Sequence, residues 1–154
     1  MPTSTAEQTV HTLEVRKTEE IMAPIDIVFE TILEQMGPYN ETPDGVSLKM
    51  KLEPWPGGRW FRDFENNTGH FWGHVQAIKP PSLLEICGPL FMSYPAVSNV
   101  QYRLTEEGGV TRVEFCHQAI GLIPADLRDG VNVNKGWGSL LTRVHEAAVR
   151  RFKA

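Results

Sequence analysis

Gly136-Trp137-Gly138-Ser139-Leu140-Leu141-Thr142-Arg143-Val144, taken with the earlier Pro56-Gly57-Gly58-Arg59-Trp60, decides how this 154-residue chain folds. The first run opens a helix whose apolar positions, Trp137, Leu140, Leu141, Val144, Ala148 and Phe152, recur near every third and fourth residue. Such spacing makes one apolar stripe, with Arg143, Glu146 and Arg150 on other faces. It predicts a helix over 134–153, about 30 Å long at 1.5 Å per residue. Nearly everything from 46 to 118 instead alternates apolar with polar, the period of antiparallel strands that wet one face. Strands joined by short hairpins form a curved sheet whose concave side needs a cover. Only the C-terminal helix is long enough to supply it.

Working outward, Leu13 to Met22 alternates as a strand, with Leu13, Val15 and Ile21 on a face that also carries Lys17 and Glu19. Ala23-Pro24 ends it, and Pro24 suits a helix start. Ile25, Val28, Phe29, Ile32 and Leu33 then repeat at helical spacing until Gly37-Pro38. Residues 38–45, with Asn40, Pro43, Asp44 and Gly45, read as loop. Val46, Leu48, Met50 and Leu52 alternate with polar residues as a half-buried strand. After a turn over Pro54–Gly58, Arg59–Phe64 and His70–Lys79 form strands joined by the Glu65–Gly69 hairpin. Leu83–Cys87 follows Pro80-Pro81, and Leu90–Ala96 is loop. Val97–Leu104 and Val110–Gln118 pair across residues 105–109, and 121–133 is loop or short helix, with Pro124 and Gly130 as breakers. The expected class is α+β: a curved antiparallel sheet of about six to seven strands wrapped around the long C-terminal helix. One or two short helices follow the first strand. Residues 1–12 read as a flexible tail and 13–154 as a single domain.

Composition narrows the function classes. With 41% apolar and 22% charged residues the chain resembles an ordinary globule, and a domain of this length buries roughly 70% of its unfolded surface. A net charge of −4 repels nucleic acid and anionic membranes. The densest cations, Arg150, Arg151 and Lys153, stand at a helix C-terminus, where the dipole favours them. No apolar run approaches the roughly 20 residues of a membrane helix, and residues 1–10 lack the pattern of a signal peptide. The expectation is a cytoplasmic protein with no nucleic-acid partner and no membrane insertion. Cys87 and Cys116 fall in strand-like apolar contexts and read as buried free thiols, with a disulfide between them as the alternative.

Five motifs in order carry a family resemblance. They are Ala23-Pro24 with Ile27-Val28-Phe29; Pro56-Gly57-Gly58-Arg59-Trp60; Gly73-His74-Val75 leading to Ile78-Lys79-Pro80-Pro81 and Leu84; Gly108 to Val113 with His117; and Gly136-Trp137 before Leu140-Leu141. The chain resembles the START-like (SRPBCC) superfamily, whose helix-grip fold is that of the birch-pollen allergen. Within it the chain is most similar to homologues of the activator of heat-shock-chaperone ATPase. The resemblance spans residues 13–153 and implies the helix-grip fold. It does not select an activity, because the superfamily includes lipid carriers, hormone receptors, polyketide cyclases, ring-hydroxylase subunits and chaperone regulators. The chain departs from the pattern at Asn66-Asn67, at the apolar Pro89-Leu90-Phe91-Met92, and in a longer run between His117 and Gly136.

Several side chains offer chemistry. His70, Trp72 and His74 share one strand phase, but histidines at i and i+4 on a strand stand roughly 13 Å apart, too far for one ion, and no metal is expected. If Trp60 and Phe64 face inward, Arg62 does too, and a buried arginine needs a carboxylate: Glu19, Glu85 or a ligand's own acid. His117 shares its phase with Val113 and Phe115, and reads as a satisfied core residue or a ligand contact. Tyr102 and Trp137 suit a wall with a polar handle. Ser82, Ser93, Ser98 and Ser139 have no adjacent base or nucleophile elbow. Gly57-Gly58 and Gly108-Gly109 are hairpin turns rather than phosphate loops, so no cofactor is expected.

The expected function is binding of a small, largely hydrophobic molecule between sheet and helix, lined by Trp60, Arg62, Trp72, His74, Tyr102, His117 and Trp137. Two alternatives stand beside it. One is a cyclase-like enzyme using His117 or His74 with Glu19 as acid and base. The other is a chaperone regulator or similar interaction module, in which Leu90, Phe91, Met92 and Tyr94 form a partner patch or homodimer contact. The same loop could instead fold over the cavity mouth as a lid.

Overall fold

The computed structural model describes residues 7–128 and 131–154; the start of the expected tail and the breaker Gly130 lie outside the described residues. In chain order the elements are β1 (His11–Ile21), α1 (Ile25–Met36), β2 (Met50–Leu52), β3 (Arg59–Asp63) and β4 (Gly69–Lys79). There follow β5 (Leu83–Gly88), β6 (Ala96–Glu107), β7 (Val110–Gly121), α2 (Ala125–Arg128) and α3 (Val131–Lys153). Seven antiparallel strands form one sheet in the order β1-β7-β6-β5-β4-β3-β2. The expected α+β helix-grip arrangement is what the chain adopts. No helix of the described residues is long and apolar enough to cross a membrane.

The helix stripe behaves as its spacing requires. Trp137, Leu140, Leu141, Val144 and Ala148 are buried in a helix that packs on both β1 and α1, whereas Phe152 stands exposed past the end of the cover. The charged residues on the inner phase of β1 are accommodated under α3. Glu19 meets His145 Nδ1 at 3.2 Å, and the end of the Lys17 side chain lies over Gly138. At the other end of the sheet, Glu106 accepts the Ile25 N–H at 2.9 Å, satisfying one of the orphan donors at the start of α1.

The strand expected over Val46–Leu52 shrinks to Met50–Leu52. Leu48 N–H is taken by Asn40 O at 2.9 Å, Glu41 bridges to Ser47, and Lys49 has a φ of 53°. The segment therefore pairs with its own loop before it reaches the sheet, and Val46 is exposed. Phe64, which period two would place in the phase of Trp60, is likewise exposed. Strand β3 stops at Asp63 because Glu65, Asn66 and Asn67 all adopt positive φ, a conformation that Asn tolerates.

In β4 the strict alternation fails. Trp60 pairs with Gly73 while Phe61 pairs with Phe71, so Trp72 is an extra residue, a β-bulge. A second irregularity lies between Val75 and Ala77. The first bulge buries Trp72 and Gly73 consecutively and sends His74 to the outer face. His70, Trp72 and His74 therefore do not share a face, contrary to the expectation from period two. Gly73 and Gly88 make the bulge possible. A Cβ on Gly73 would stand 2.7 Å from Cys87 O, and one on Gly88 would stand 2.4 Å from Trp72 O. Gly73→Ala is expected to lower unfolding free energy by about 2 kcal/mol, because backbone rather than a movable side chain blocks the methyl. Urea denaturation of the two proteins measures it.

Both thiols are free and half-buried rather than fully buried. Cys87 on β5 and Cys116 on β7 are separated by β6, so two strand spacings, about 9.5 Å, keep them apart.

Candidate functional site

Between the sheet and α3 lies a cavity of about 260 Å³. Trp60 from β3, Trp72 from β4, Phe91 from the β5–β6 loop and Trp137 and Leu140 from α3 wall it, with Leu48, Leu127 and Val133. Asn40, Glu41, Thr42, Pro43, Asn132 and Gly136 complete the lining. Exposed Asn132 and half-exposed Glu41 mark the side that opens to solvent.

Each of the three cavity indoles has already spent its N–H. Trp60 Nε1 donates to Met36 O at 2.7 Å, Trp72 Nε1 to His70 Nδ1 at 3.0 Å and Trp137 Nε1 to His117 Nδ1 at 3.0 Å. Trp60 and Trp72 meet edge to face at 5.0 Å, and Phe91 stands against Trp72 at 5.7 Å in the same manner. The wall thus offers aromatic faces, edges and methyl groups, with no free donor among these rings.

His117 stands behind the wall, fully buried. An indole N–H can only donate, so Nδ1 must accept and Nε2 must carry the proton, which goes to Ser98 Oγ at 2.9 Å. Both ring nitrogens are committed and the imidazole is neutral. Burial pushes its pKa down to about 4. Its task is to fix the Trp137 indole through a Ser98–His117–Trp137 chain.

Tyr102 is also behind the wall. Its hydroxyl donates to Met36 Sδ at 3.3 Å, and burial raises its pKa far above the ordinary phenol value. Met36, the last residue of α1, is thereby held by Trp60, by Tyr102 and by Asn40, whose Nδ2 reaches Met36 O at 3.4 Å. Such orphan carbonyls at a helix end need partners.

Two of the expected site residues lie elsewhere. Arg62 donates from Nε to Leu48 O at 2.9 Å and stacks over Phe64 at 4.9 Å. Neither expected carboxylate meets it, because Glu19 faces His145 and Glu85 accepts from Asn99 and Gln101 on the outer face. His74 lies on that outer face against Phe71, with ring centres 4.7 Å apart. Of the seven expected residues, Trp60, Trp72 and Trp137 line the cavity and Tyr102 and His117 brace it. Phe91, Leu140 and the Asn40–Pro43 loop were not among them. Ser98 had left a signal: it is a hydroxyl in the apolar phase of Val100, Tyr102 and Leu104.

A family model described as Activator of Hsp90 ATPase homolog 1-like protein matches residues 22–148. The chain belongs to this family. The match takes in α1, every strand after β1 and most of α3, and so every element that walls the cavity. None of the curated proteins matches the chain. Solved structures share the fold of this member of the Hsp90-activator-like family at low identity. An uncharacterised protein from Rhizobium leguminosarum aligns with a TM-score of 0.69 at 18% identity, covering 94% of this chain and 99% of that one. A protein from Chromobacterium violaceum aligns at 0.67 and 16%, covering 88% and 96%. CalU16 from Micromonospora echinospora aligns at 0.57 and 21%, covering 90% and 81%.

Proposed function

We propose that this chain binds a small, largely apolar molecule in the cavity between its sheet and α3. The observation that carries the proposal is the wall of three indoles whose N–H groups are all engaged by the protein. A wall built this way gains from burying hydrocarbon or ring surface, and the polar groups of the lining, Asn40, Glu41, Thr42 and Asn132, come from the loop after α1 and the start of α3. Its 260 Å³ suits a ligand of two or three fused rings or a medium alkyl chain. The acid–base alternative finds no support in the geometry: His117 has both nitrogens engaged, His74 faces outward, and Glu19 is turned to His145.

The β5–β6 loop fits a cavity wall better than a partner patch. Leu90 and Met92 are buried and Phe91 lines the cavity, leaving Tyr94 as the exposed member of the four. Leu90 N–H donates to Trp72 O at 2.8 Å, which fastens the loop to the bulge.

Prodan, an uncharged naphthalene dye, tests the proposal. Its emission is expected to shift to the blue in a saturable manner with the wild-type protein. Phe91→Ala is expected to weaken that binding about tenfold, the worth of one lost aromatic contact. Tyr94→Ala should leave it unchanged. No saturable binding of prodan or of dodecanol would remove the proposal. A shift of molecular mass on Tyr94→Ala, with dye binding intact, would move the loop's role to an interface between copies.

A further inference from the structure

We propose that the cavity and a neighbouring polar groove form one site for an amphiphilic carboxylate, with its apolar body among the indoles and its acid group on Arg143. This rests on the cavity binding an apolar molecule as proposed above and adds the charge and orientation of that molecule.

The groove, about 860 Å³, runs between the end of α1, the loop after it and the C-terminal half of α3. Asn40 and Glu41 line both hollows, so the two adjoin across that loop. Helix α3 passes along both. Val133, Gly136 and Leu140 wall the cavity, while Arg143, Ala147 and Arg150 wall the groove. Steps of three and four residues keep these positions on one helix face. From Val133 to Arg143 the rise is about 15 Å, close to the extended length of a medium-chain fatty acid.

Arg143 is a cation in search of a closer counterion. Its side chain is only 17% exposed, and no carboxylate among the described residues comes nearer than Glu41, at 3.9 Å from Nε, beyond hydrogen-bond range. The guanidinium instead donates to two neutral oxygens, Gln35 Oε1 at 3.2 Å and Ser139 Oγ at 2.8 Å. Burial lowers its pKa, the sign of a charge that its surroundings compensate incompletely. A half-buried arginine gains most from an acid that fills its remaining donors.

The groove favours one negative charge rather than two. Glu34 is already paired with Arg151, and Glu41 and Glu146 line the groove beside Arg143 and Arg150, two acids for two cations. A carboxylate can take Arg143 from Glu41 by turning that side chain outward, whereas a dianion would meet both acids without further cations.

Calorimetric titration of the full chain with dodecanoate, dodecanol and dodecyl phosphate tests this. Wild type is expected to bind dodecanoate at least tenfold more tightly than dodecanol, the worth of one charge-assisted contact. Arg143→Met should erase that difference and leave dodecanol unaffected. Glu41→Gln, which removes the competing acid, should tighten dodecanoate several-fold. Should dodecanol and prodan bind while neither variant alters dodecanoate, the head-group assignment falls and the cavity proposal stands. Dodecyl phosphate binding more tightly than dodecanoate overturns the single-charge argument. If dodecanol, dodecanoate and prodan all fail to bind, the cavity proposal falls with it.

Discussion

Trp60→Ala is expected to lower unfolding free energy by about 4 kcal/mol, in the range measured for buried aromatic residues cut to alanine. The side chain is fully buried and touches two systems at once. Its ring packs edge to face on Trp72, and its N–H holds the Met36 carbonyl that ends α1. Removing it leaves a void beside an existing cavity and a Met36 carbonyl held only by the long contact from Asn40 Nδ2. Trp60→Phe separates the two. It keeps most of the ring and loses only the donor, so about 1–2 kcal/mol of the loss should remain. Trp55 is the built-in contrast: it is 55% exposed on the turn before β3, and Trp55→Ala should fall within about 0.5 kcal/mol of wild type. Urea denaturation of the three variants checks the series. A Trp60→Ala protein as stable as Trp55→Ala would mean that α1 is not anchored through Met36.

The fold was legible because its two periodicities do not overlap. Trp137, Leu140, Leu141, Val144 and Ala148 repeat at helical spacing, and Val110 to Gln118 repeats at two, so the sheet and its cover separate on the page. Where the period holds, so do the assignments: Val113, Phe115 and His117 are all inward, and all buried. Where the backbone inserts a residue, the phase is lost. The bulge at Trp72 depends on Gly73 and Gly88 meeting across two strands, a long-range fit that alternation within one strand does not encode. That one residue moved His74 from cavity to outer face.

Arg62 failed for a different reason. A backbone carbonyl, Leu48 O, satisfied its Nε, and such acceptors carry no mark in a sequence. In the sequence Phe91 belongs equally to a patch or a lid, since an apolar loop looks the same whether it folds inward or presents itself to a partner. Leu90 N–H donating to Trp72 O holds the loop against the bulged strand, a backbone contact that no residue type announces. Trp60 and Trp137, on regular elements, were thus readable as candidate wall residues, whereas the inward Phe91 and the outward His74, both set by irregular backbone, were not.

Acidification from about pH 6.5 to about pH 4 is expected to cost about 3 kcal/mol of stability through His117 alone. The imidazole takes a proton near pH 6.5 in the unfolded chain but only near 4 in the fold. Between those values the unfolded state binds more protons, so stability falls as pH is lowered through the window and levels off below it. The 2.5-unit difference at 1.36 kcal/mol per unit gives the size. It contacts Ser98, Trp137 and Phe91, none of them charged, and among the described residues no salt bridge reaches it to offset the cost of the imidazolium. Glu53, whose carboxyl Arg59 holds down at about 2, acts only below the ordinary carboxylate range and on the surface. Protonation also turns Nδ1 from acceptor to donor, so the Trp137 N–H faces another N–H and the indole loses its brace. Prodan affinity should therefore weaken over the same pH range as stability. His117→Gln supplies a side chain that can accept from Trp137 and donate to Ser98 but does not titrate. Urea midpoints recorded at pH 7 and pH 4.5 should differ strongly in the wild type and little in this variant. Equal slopes in the two proteins would place the acid sensitivity in some other group and leave His117 as an inert filler behind the cavity wall.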